Sequence, residues 1–267
     1  VRDILGYGGK RVVVSGAATG MGAATARTLV ELGAEVHALD LKPIEAPVAR
    51  ALEVDLRRPE SIDAAVDRLP ERVDALFNCA GLPGPPFSNL DTMLVNFVGL
   101  RHLTEALLPR IPSGGAVASI TSVAGIGYRK NLDAVKALVG TPDFAAGRAW
   151  CEANPDKANG YLFSKQCIIW YTKTRAVELV SRGIRMNCLS PAPTDTPMLS
   201  AFHAQVSRDF LEKHFLAPIG RNATPEEMAE PLVLLNSEAA RFVSGQNLLV
   251  DWGYEAAVEV GARPGLL

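Results

Sequence analysis

Short, almost wholly apolar runs rich in β-branched residues alternate along this chain with longer stretches in which apolar positions recur every three or four residues. The first kind reads as strands buried on both faces and the second as amphipathic helices; their alternation predicts βαβ units around a parallel sheet. Strands are expected at 11–15, 35–40, 51–55, 73–78, 115–122, 184–190 and 247–250, and helices at 20–32, 88–108, 161–181 and 224–236. The last helix begins with Thr224, Pro225 and Glu227, a capping box with proline at the first helical position in front of an apolar run. No repeat, low-complexity tract or linker interrupts the pattern, so the expectation is one α/β domain over 1–267, a doubly wound parallel sheet of about seven strands.

Composition changes this picture mainly by exclusion. The chain has 267 residues, 48% hydrophobic and 21% charged, which is ample for a core. Lys plus Arg number 27 against 29 Asp plus Glu, a formal net charge of -2, and no basic run tracks a phosphate backbone, so nucleic acid is not an expected partner. No window approaches the roughly 20 consecutive apolar residues of a membrane span. The opening VRDILGYGGKRVVVSG lacks the apolar core of a signal peptide, and a cytoplasmic protein without a membrane partner is expected. Cys79, Cys151, Cys167 and Cys188 form no CxxC pair, and His37, His102, His203 and His214 form no ligand pair; reduced thiols and no metal are expected. GxSxG and GxxxxGK[ST] are both missing, which removes the simplest hydrolase and nucleotide triphosphatase readings.

Directly after the first strand stands SGAATGMG, with Gly16, Gly20 and Gly22 at the junction with a helix. Glycine there lets the backbone turn tightly and approach a pyrophosphate, whose charge the unsatisfied amides of a helix start favour. A tight turn alone would also select glycine. The cluster gains weight from its setting, because Asp40 ends the second strand 18 residues after Gly22. A carboxylate there accepts hydrogen bonds from the adenosine ribose and repels a 2′-phosphate, so NAD is expected over NADP. Ala17, Ala18, Thr19 and Leu41 stand where a phosphate-binding cation would; Lys42 is the one cation nearby.

Tyr161 and Lys165 lie four apart on an expected helix and so project from one face. A phenol with an ordinary pKa near 10 is a poor base at neutral pH until a cation favours its anion, and Lys165 is placed to be that cation. A Tyr and a Lys on a plain surface helix would read the same way. Ser122 adds to the pattern by ending the fifth strand, at the edge of an open α/β sheet where ligands bind. Asn96 adds to it from within the apolar TMLVNFVGL, where an amide needs hydrogen-bond partners, whether in a site or in a satisfied core.

Taken together, these residues resemble the short-chain dehydrogenases/reductases over nearly the whole chain. SGAATGMG is similar to the family's TGxxxGxG, which makes Gly16, Thr19, Gly20, Met21 and Gly22 cofactor contacts. Asp55 and Leu56 resemble the pair lining the adenine, and NCAG, with Asn78, Ala80 and Gly81, resembles NNAG. PAPTDTP resembles PGxxxT, which implies Pro191, Thr194 and Thr196 at the nicotinamide and phosphates. Asn96, Ser122, Tyr161 and Lys165 match the catalytic tetrad. The resemblance implies a Rossmann-type fold and NAD-dependent interconversion of an alcohol and its ketone or aldehyde. Tyr161 would be the base or acid, with Lys165 lowering its pKa and holding the ribose. Ser122 would bind the substrate oxygen, and Asn96 would fix a water toward Lys165. The YxxxK spacing favours alcohol chemistry over that of enoyl reductases. The rival reading is a non-catalytic NAD(H) sensor or structural subunit.

Two departures point to a subgroup. Gly81 and Asn96 are only 15 apart, with LPGPPFSN between, whereas Ser122 and Tyr161 are 39 apart, which implies an insertion at about 126–159. Both features resemble the 3α-hydroxysteroid dehydrogenase/carbonyl reductases and coniferyl-alcohol dehydrogenases, and so imply a hydrophobic alcohol or ketone as partner. The stretch 197–216, with Met198, Leu199, Phe202, Val206, Phe210, Leu211, Phe215 and Leu216, suits either an apolar lid or a packed amphipathic helix, with His203 and His214 at its rim. The insertion is too long for a structureless loop. Leu132, Val135, Leu138 and Val139 share one helical side, and Thr141, Pro142 and Asp143 suit the start of a second helix carrying Phe144 and Trp150. Such a hairpin would cover the family's helical interface, extend it, or decorate the surface. Covering is the expectation, leaving a homodimer through the last strand and the Thr224 helix in place of the common homotetramer.

Overall fold

A computed structural model of the chain describes residues 3–203 and 216–264. Seven parallel strands form one sheet: β1 (Arg11–Ser15), β2 (Glu35–Asp40), β3 (Arg50–Glu53), β4 (Ala75–Asn78), β5 (Ala116–Ile120), β6 (Arg185–Pro191) and β7 (Asn247–Val250). Their order is β3-β2-β1-β4-β5-β6-β7, so the direction of winding reverses between β1 and β4. That reversal opens a crevice at the carboxyl ends of these strands. Helices α1 (Gly20–Glu31) and α9 (Pro225–Asn236) pack together beneath one face; α2 (Pro59–Val66), α4 (Leu100–Leu107) and α7 (Tyr161–Glu178) cover the other. Val12, Val13 and Val14 are fully buried, as a strand sandwiched between two helical layers requires. This is the doubly wound Rossmann-type architecture expected from the alternating pattern.

Differences of extent have local causes. β3 stops at Glu53, opposite the last residue of β2, and the next backbone amide, Val54, still donates to Asp40. Asp55 then leaves the ladder and its carboxylate takes Arg57. In β4 the expected first residues turn elsewhere, Val73 donating to Arg110 and Asp74 to Arg11. Helix α2 was not expected, although Pro59 at its start, Glu60 in its first turn and buried Ile62, Ala65 and Val66 are a legible signal. The capping box of α9 is present as expected: Thr224 accepts from Glu227 N, and the Glu227 carboxylate accepts from Thr224 N.

The expected helix at 88–108 forms in three parts: α3 (Asn89–Met93), a π-helical segment (Leu94–Gly99) and α4, closed by a 3-10 turn. Ser88 caps it by accepting from Asp91 N. The wide segment falls where Gly99 passes so close to the Leu56 carbonyl that any Cβ would collide with that oxygen. The insertion runs as a 3-10 stretch (Val123–Asn131), α5 (Leu132–Val139) and α6 (Phe144–Ala153), with Asp143 capping α6 by accepting from Ala146 N. Two short helices, α8 (Pro197–His203) and α10 (Tyr254–Glu259), complete the described residues. Of the apolar stretch 197–216, Val206, Phe210, Leu211, His214 and Phe215 lie outside them.

Candidate active site

Strand ends β1, β4 and β5 deliver the groups on which the chemistry depends. After Ser15 the chain turns through Gly16 at a φ of 73°, and Gly16 lies so close to Ala80 that a side chain there would collide with the Ala80 backbone. Gly22 is packed as tightly, since its Cβ would strike the Gly16 carbonyl. Both glycines therefore hold the turn against the 79–81 segment. Thr19 precedes α1 without capping it, and no acidic residue stands in the first turn. The amides beside Gly20 and Met21 thus keep the positive end of the helix open to a phosphate. Asp40 closes the far side: its carboxylate accepts from Ala18 N at 2.9 Å and from Lys42 N at 2.9 Å, which fixes it against the glycine turn. The two protein bonds use one lone pair on each oxygen and leave others for hydroxyl donors. Thr196 reaches the same turn, with its Cγ2 3.0 Å from where a Gly20 Cβ would lie. These residues fit a dinucleotide cofactor.

Other expected cofactor contacts have partners within the protein. Asp55 receives Arg57 through Nε at 2.9 Å and Nη2 at 2.7 Å, and this charged hydrogen bonding holds its carboxyl below the usual carboxylate range. Leu56 is buried and gives its carbonyl to the contact with Gly99. Asn78, 1% exposed, donates to Thr104 Oγ1 and Ser119 Oγ and so ties β4 to α4 and β5. Thr194 is turned onto its own segment, donating to the Ala192 carbonyl, while Pro191 ends β6. Ala80 packs at the edge of the core, directly under Gly16.

At the reactive end Asn96 and Lys165 meet at Gly81, and Lys165 in turn lies beside Tyr161, whose other neighbour is Ser122. A Cβ on that glycine would lie 3.5 Å from Asn96 Oδ1, 3.6 Å from Met198 Cε and 3.8 Å from Lys165 Nζ. Tyr161 opens α7, entered through Gly160 at a φ of 86°. Ser122, which caps the 3-10 stretch by accepting from Ala124 N, stands beside the Tyr161 phenol. Burial pushes the phenol pKa up, and the Ser122 hydroxyl pulls it back. Lys165 lies one turn on, with Nζ 5.4 Å from the Tyr161 ring centroid, and donates to the Ile120 carbonyl at 3.2 Å. Burial brings that ammonium down to about 8.

The side chain of Asn96 is held by protein groups. Its Oδ1 accepts from Leu82 N at 2.7 Å, and its Nδ2 donates to the Leu82 carbonyl at 3.0 Å and to Ser164 Oγ at 3.2 Å. The amide is therefore spent on clasping the loop after Gly81 and on α7, and its buried groups are satisfied by protein. Sequence reading also missed the neighbour of the phenol: the Phe202 ring, on α8, meets the Tyr161 ring edge-on at 5.0 Å. Phe202 was legible as an apolar position of the 197–216 stretch, but its target was not. No cluster of His, Cys, Asp and Glu among the described residues could hold a metal ion.

Comparison with known proteins agrees with this geometry. The family model described as "short chain dehydrogenase" matches residues 10–134, and one described as "Enoyl-(Acyl carrier protein) reductase" matches 149–255. A coniferyl-alcohol dehydrogenase from a Pseudomonas species is 35% identical, the match covering 91% of this chain and 96% of that protein. The 3-alpha-hydroxysteroid dehydrogenase/carbonyl reductase of Comamonas testosteroni is 32% identical over 92% of this chain and 97% of its own. Among solved structures, the 3-alpha-hydroxysteroid dehydrogenase of Pseudomonas sp. B-0831, complexed with NADH, superposes with a TM-score of 0.80 at 28% identity. It covers 95% of this chain and 99% of that one. With the strand order, the open crevice and these relatives in agreement, the chain belongs to the short-chain dehydrogenase/reductase family of oxidoreductases, on the branch that includes hydroxysteroid and coniferyl-alcohol dehydrogenases.

Proposed function

We propose that this protein is an NAD-dependent alcohol dehydrogenase/carbonyl reductase for a hydrophobic substrate of the hydroxysteroid or aryl/allylic alcohol type. The observation that carries the proposal is that Lys165 stands between Gly81 and Tyr161, with Ser122 beside the phenol, at the carboxyl ends of the strands where the crevice opens. Bound there, the nicotinamide supplies the hydride acceptor or donor. The glycine turn, Asp40 and Thr196 hold the dinucleotide, and Lys165 reaches its ribose. Ser122 orients the substrate oxygen against Tyr161, whose phenolate takes the alcohol proton in oxidation and whose neutral phenol returns it in reduction. Met198 and Phe202 present apolar surface to the substrate, in keeping with the ring-bearing substrates named for two relatives.

The protein works as a homodimer in this reading. Leu234 on α9, Leu249 on β7, and Phe242 and Trp252 beside them are exposed, Phe242 completely. Apolar side chains left in water around one sheet edge suit a second copy of the chain. The four unpaired cysteines suit a reducing compartment such as the cytoplasm.

The test is a screen of NAD reduction over steroid, aryl, allylic and short aliphatic alcohols. Turnover of ring-bearing alcohols supports the proposal. NADH binding without turnover of any alcohol would replace it with a sensor. Catalytic efficiency is expected to be at least about tenfold better with NAD than with NADP, roughly 1.4 kcal/mol of discrimination. Asp40→Ala is expected to narrow that gap, and equal efficiencies in the unmutated chain would overturn the cofactor assignment.

A further inference from the structure

Arg101 has a task that the active site does not explain. It sits on α4, is 5% exposed, and has no carboxylate within hydrogen-bond reach among the described residues. Its guanidinium instead gathers the turn between α5 and α6. Nη1 donates to the carbonyls of Leu138 (3.3 Å), Val139 (3.2 Å) and Thr141 (2.8 Å) and to Thr141 Oγ1 (2.8 Å), and Nη2 donates to the Asp143 carbonyl (2.7 Å). Leu138 and Val139 are the last residues of α5, so the cation meets the negative end of a helix. The fit is close: a Cβ on Gly147 would lie 2.9 Å from Nη2, and the Phe97 ring supports the guanidinium from the other side at 5.6 Å. A buried cation is costly unless its donors are satisfied, so the turn is strongly drawn to this one position.

The hairpin so held is joined to the helix that carries Tyr161 and Lys165. Trp150 of α6 stacks on Phe163 at 5.9 Å and 14°, two residues after Tyr161. Asn131, at the head of α5, donates to Gln166 Oε1 at 2.9 Å, one residue after Lys165, and Gln166 is itself buried. Arg101 is also on the helical run that carries Asn96, whose amide donates to Ser164. We infer that Arg101 is a positioning residue: by clamping the hairpin turn it fixes the first turns of α7, and with them the mutual placement of Tyr161 and Lys165. The inference rests on the dehydrogenase reading for its kinetic consequence but not for its structural one.

Arg101→Met removes the donors at similar volume, and Arg101→Lys keeps the charge while losing the planar fork, which secures a folded variant should the first fail. Trp150→Ala breaks the link to Phe163 without touching Arg101, and Arg148→Ala, on the exposed side of the same helix, is the control. In Arg101→Met and Trp150→Ala, kcat is expected to fall about 30- to 100-fold. The NADH dissociation constant and the KM for NAD should stay within about twofold. Amide exchange should rise about tenfold or more in 161–168 as well as in 132–153. Arg101→Lys should recover only part of the loss, and Arg148→Ala should match the unmutated chain. Faster exchange confined to 132–153, with kcat unchanged, would reduce Arg101 to a local clasp and overturn the inference. If the unmutated chain oxidises no alcohol, the dehydrogenase reading falls, and the exchange in 161–168 alone decides the coupling.

Discussion

Burial that raises a phenol makes it a weaker acid at neutral pH, and this sets the pH dependence expected if Tyr161 is the proposed acid/base group. Oxidation needs the ionised phenol and reduction the neutral one, so the kcat/KM for oxidation should climb with pH on the alkaline side while that for reduction falls. A flat oxidation profile from about pH 6 to 10 would show that another group takes the proton. Tyr161→Phe should abolish nearly all turnover yet leave NADH affinity within about threefold, whereas Lys165→Ala should impair both, because its ammonium stands beside Gly81 as well as beside the phenol. Retention of more than about a tenth of the activity in Tyr161→Phe would exclude it as the acid/base group. The ion pair of Asp55 with Arg57 acts on stability instead. The folded pKa of Asp55 is depressed, so its contribution is fully present above the ordinary carboxylate pKa and is lost as pH falls through the lower, folded value. Arg57→Met should therefore lower the melting temperature at pH 7 more than at about pH 3.

Elements here meet through backbone contacts that leave no room for a side chain. Gly99 against Leu56 and Gly22 against Gly16 are the clearest pair. Gly99→Ala should destabilise the chain by more than about 2 kcal/mol in denaturant unfolding, as overpacked sites do. A cost below about 0.5 kcal/mol would mean that the π-helical segment relaxes around the methyl group. The helix caps are ordinary by comparison: Thr224→Ala should cost about 1 kcal/mol. Arginines serve elements as Arg101 serves the hairpin. Arg185 donates to the carbonyls of Leu235 at 2.6 Å and Ser237 at 3.1 Å, at the end of α9, and Arg182 to that of Leu108 at 2.6 Å. These long side chains close helix C-termini from a distance in sequence, which no local pattern discloses.

For the whole molecule the insertion decides which surfaces remain for association. Helix α5 lies on α7 and α6 on the π-helical segment, with Lys136 over the Trp170 ring at 5.5 Å, so the hairpin occupies the outer face of α7. Val177 at the tail of α7 and Val180 in the 3-10 turn that follows it stay exposed. Light scattering should accordingly return a dimer, and Phe242→Glu or Trp252→Glu should shift it toward monomer. A tetramer joined through α7 would show that the hairpin does not block that face.

What the sequence determined by itself was periodic or local. The alternation of buried strands and amphipathic helices set the sheet and its winding, Thr224 and Glu227 set a capping box, and the glycine turn with Asp40 marked one end of the crevice, because each of these depends on neighbours a few residues away or on a repeating pattern. The hairpin at 126–159 was legible for the same reason, through its apolar face and the Asp143 cap. Helix α2 was equally local and was overlooked. Tertiary structure alone decided which side chains share a partner. Asn96 turned to the Leu82 backbone, Asp55 to Arg57, Phe202 to the Tyr161 ring and Arg101 to the hairpin turn. A polar or aromatic side chain is satisfied by whatever the fold brings within hydrogen-bond or ring-contact range, and for most of these pairs that partner is many residues away, beyond the reach of any periodicity.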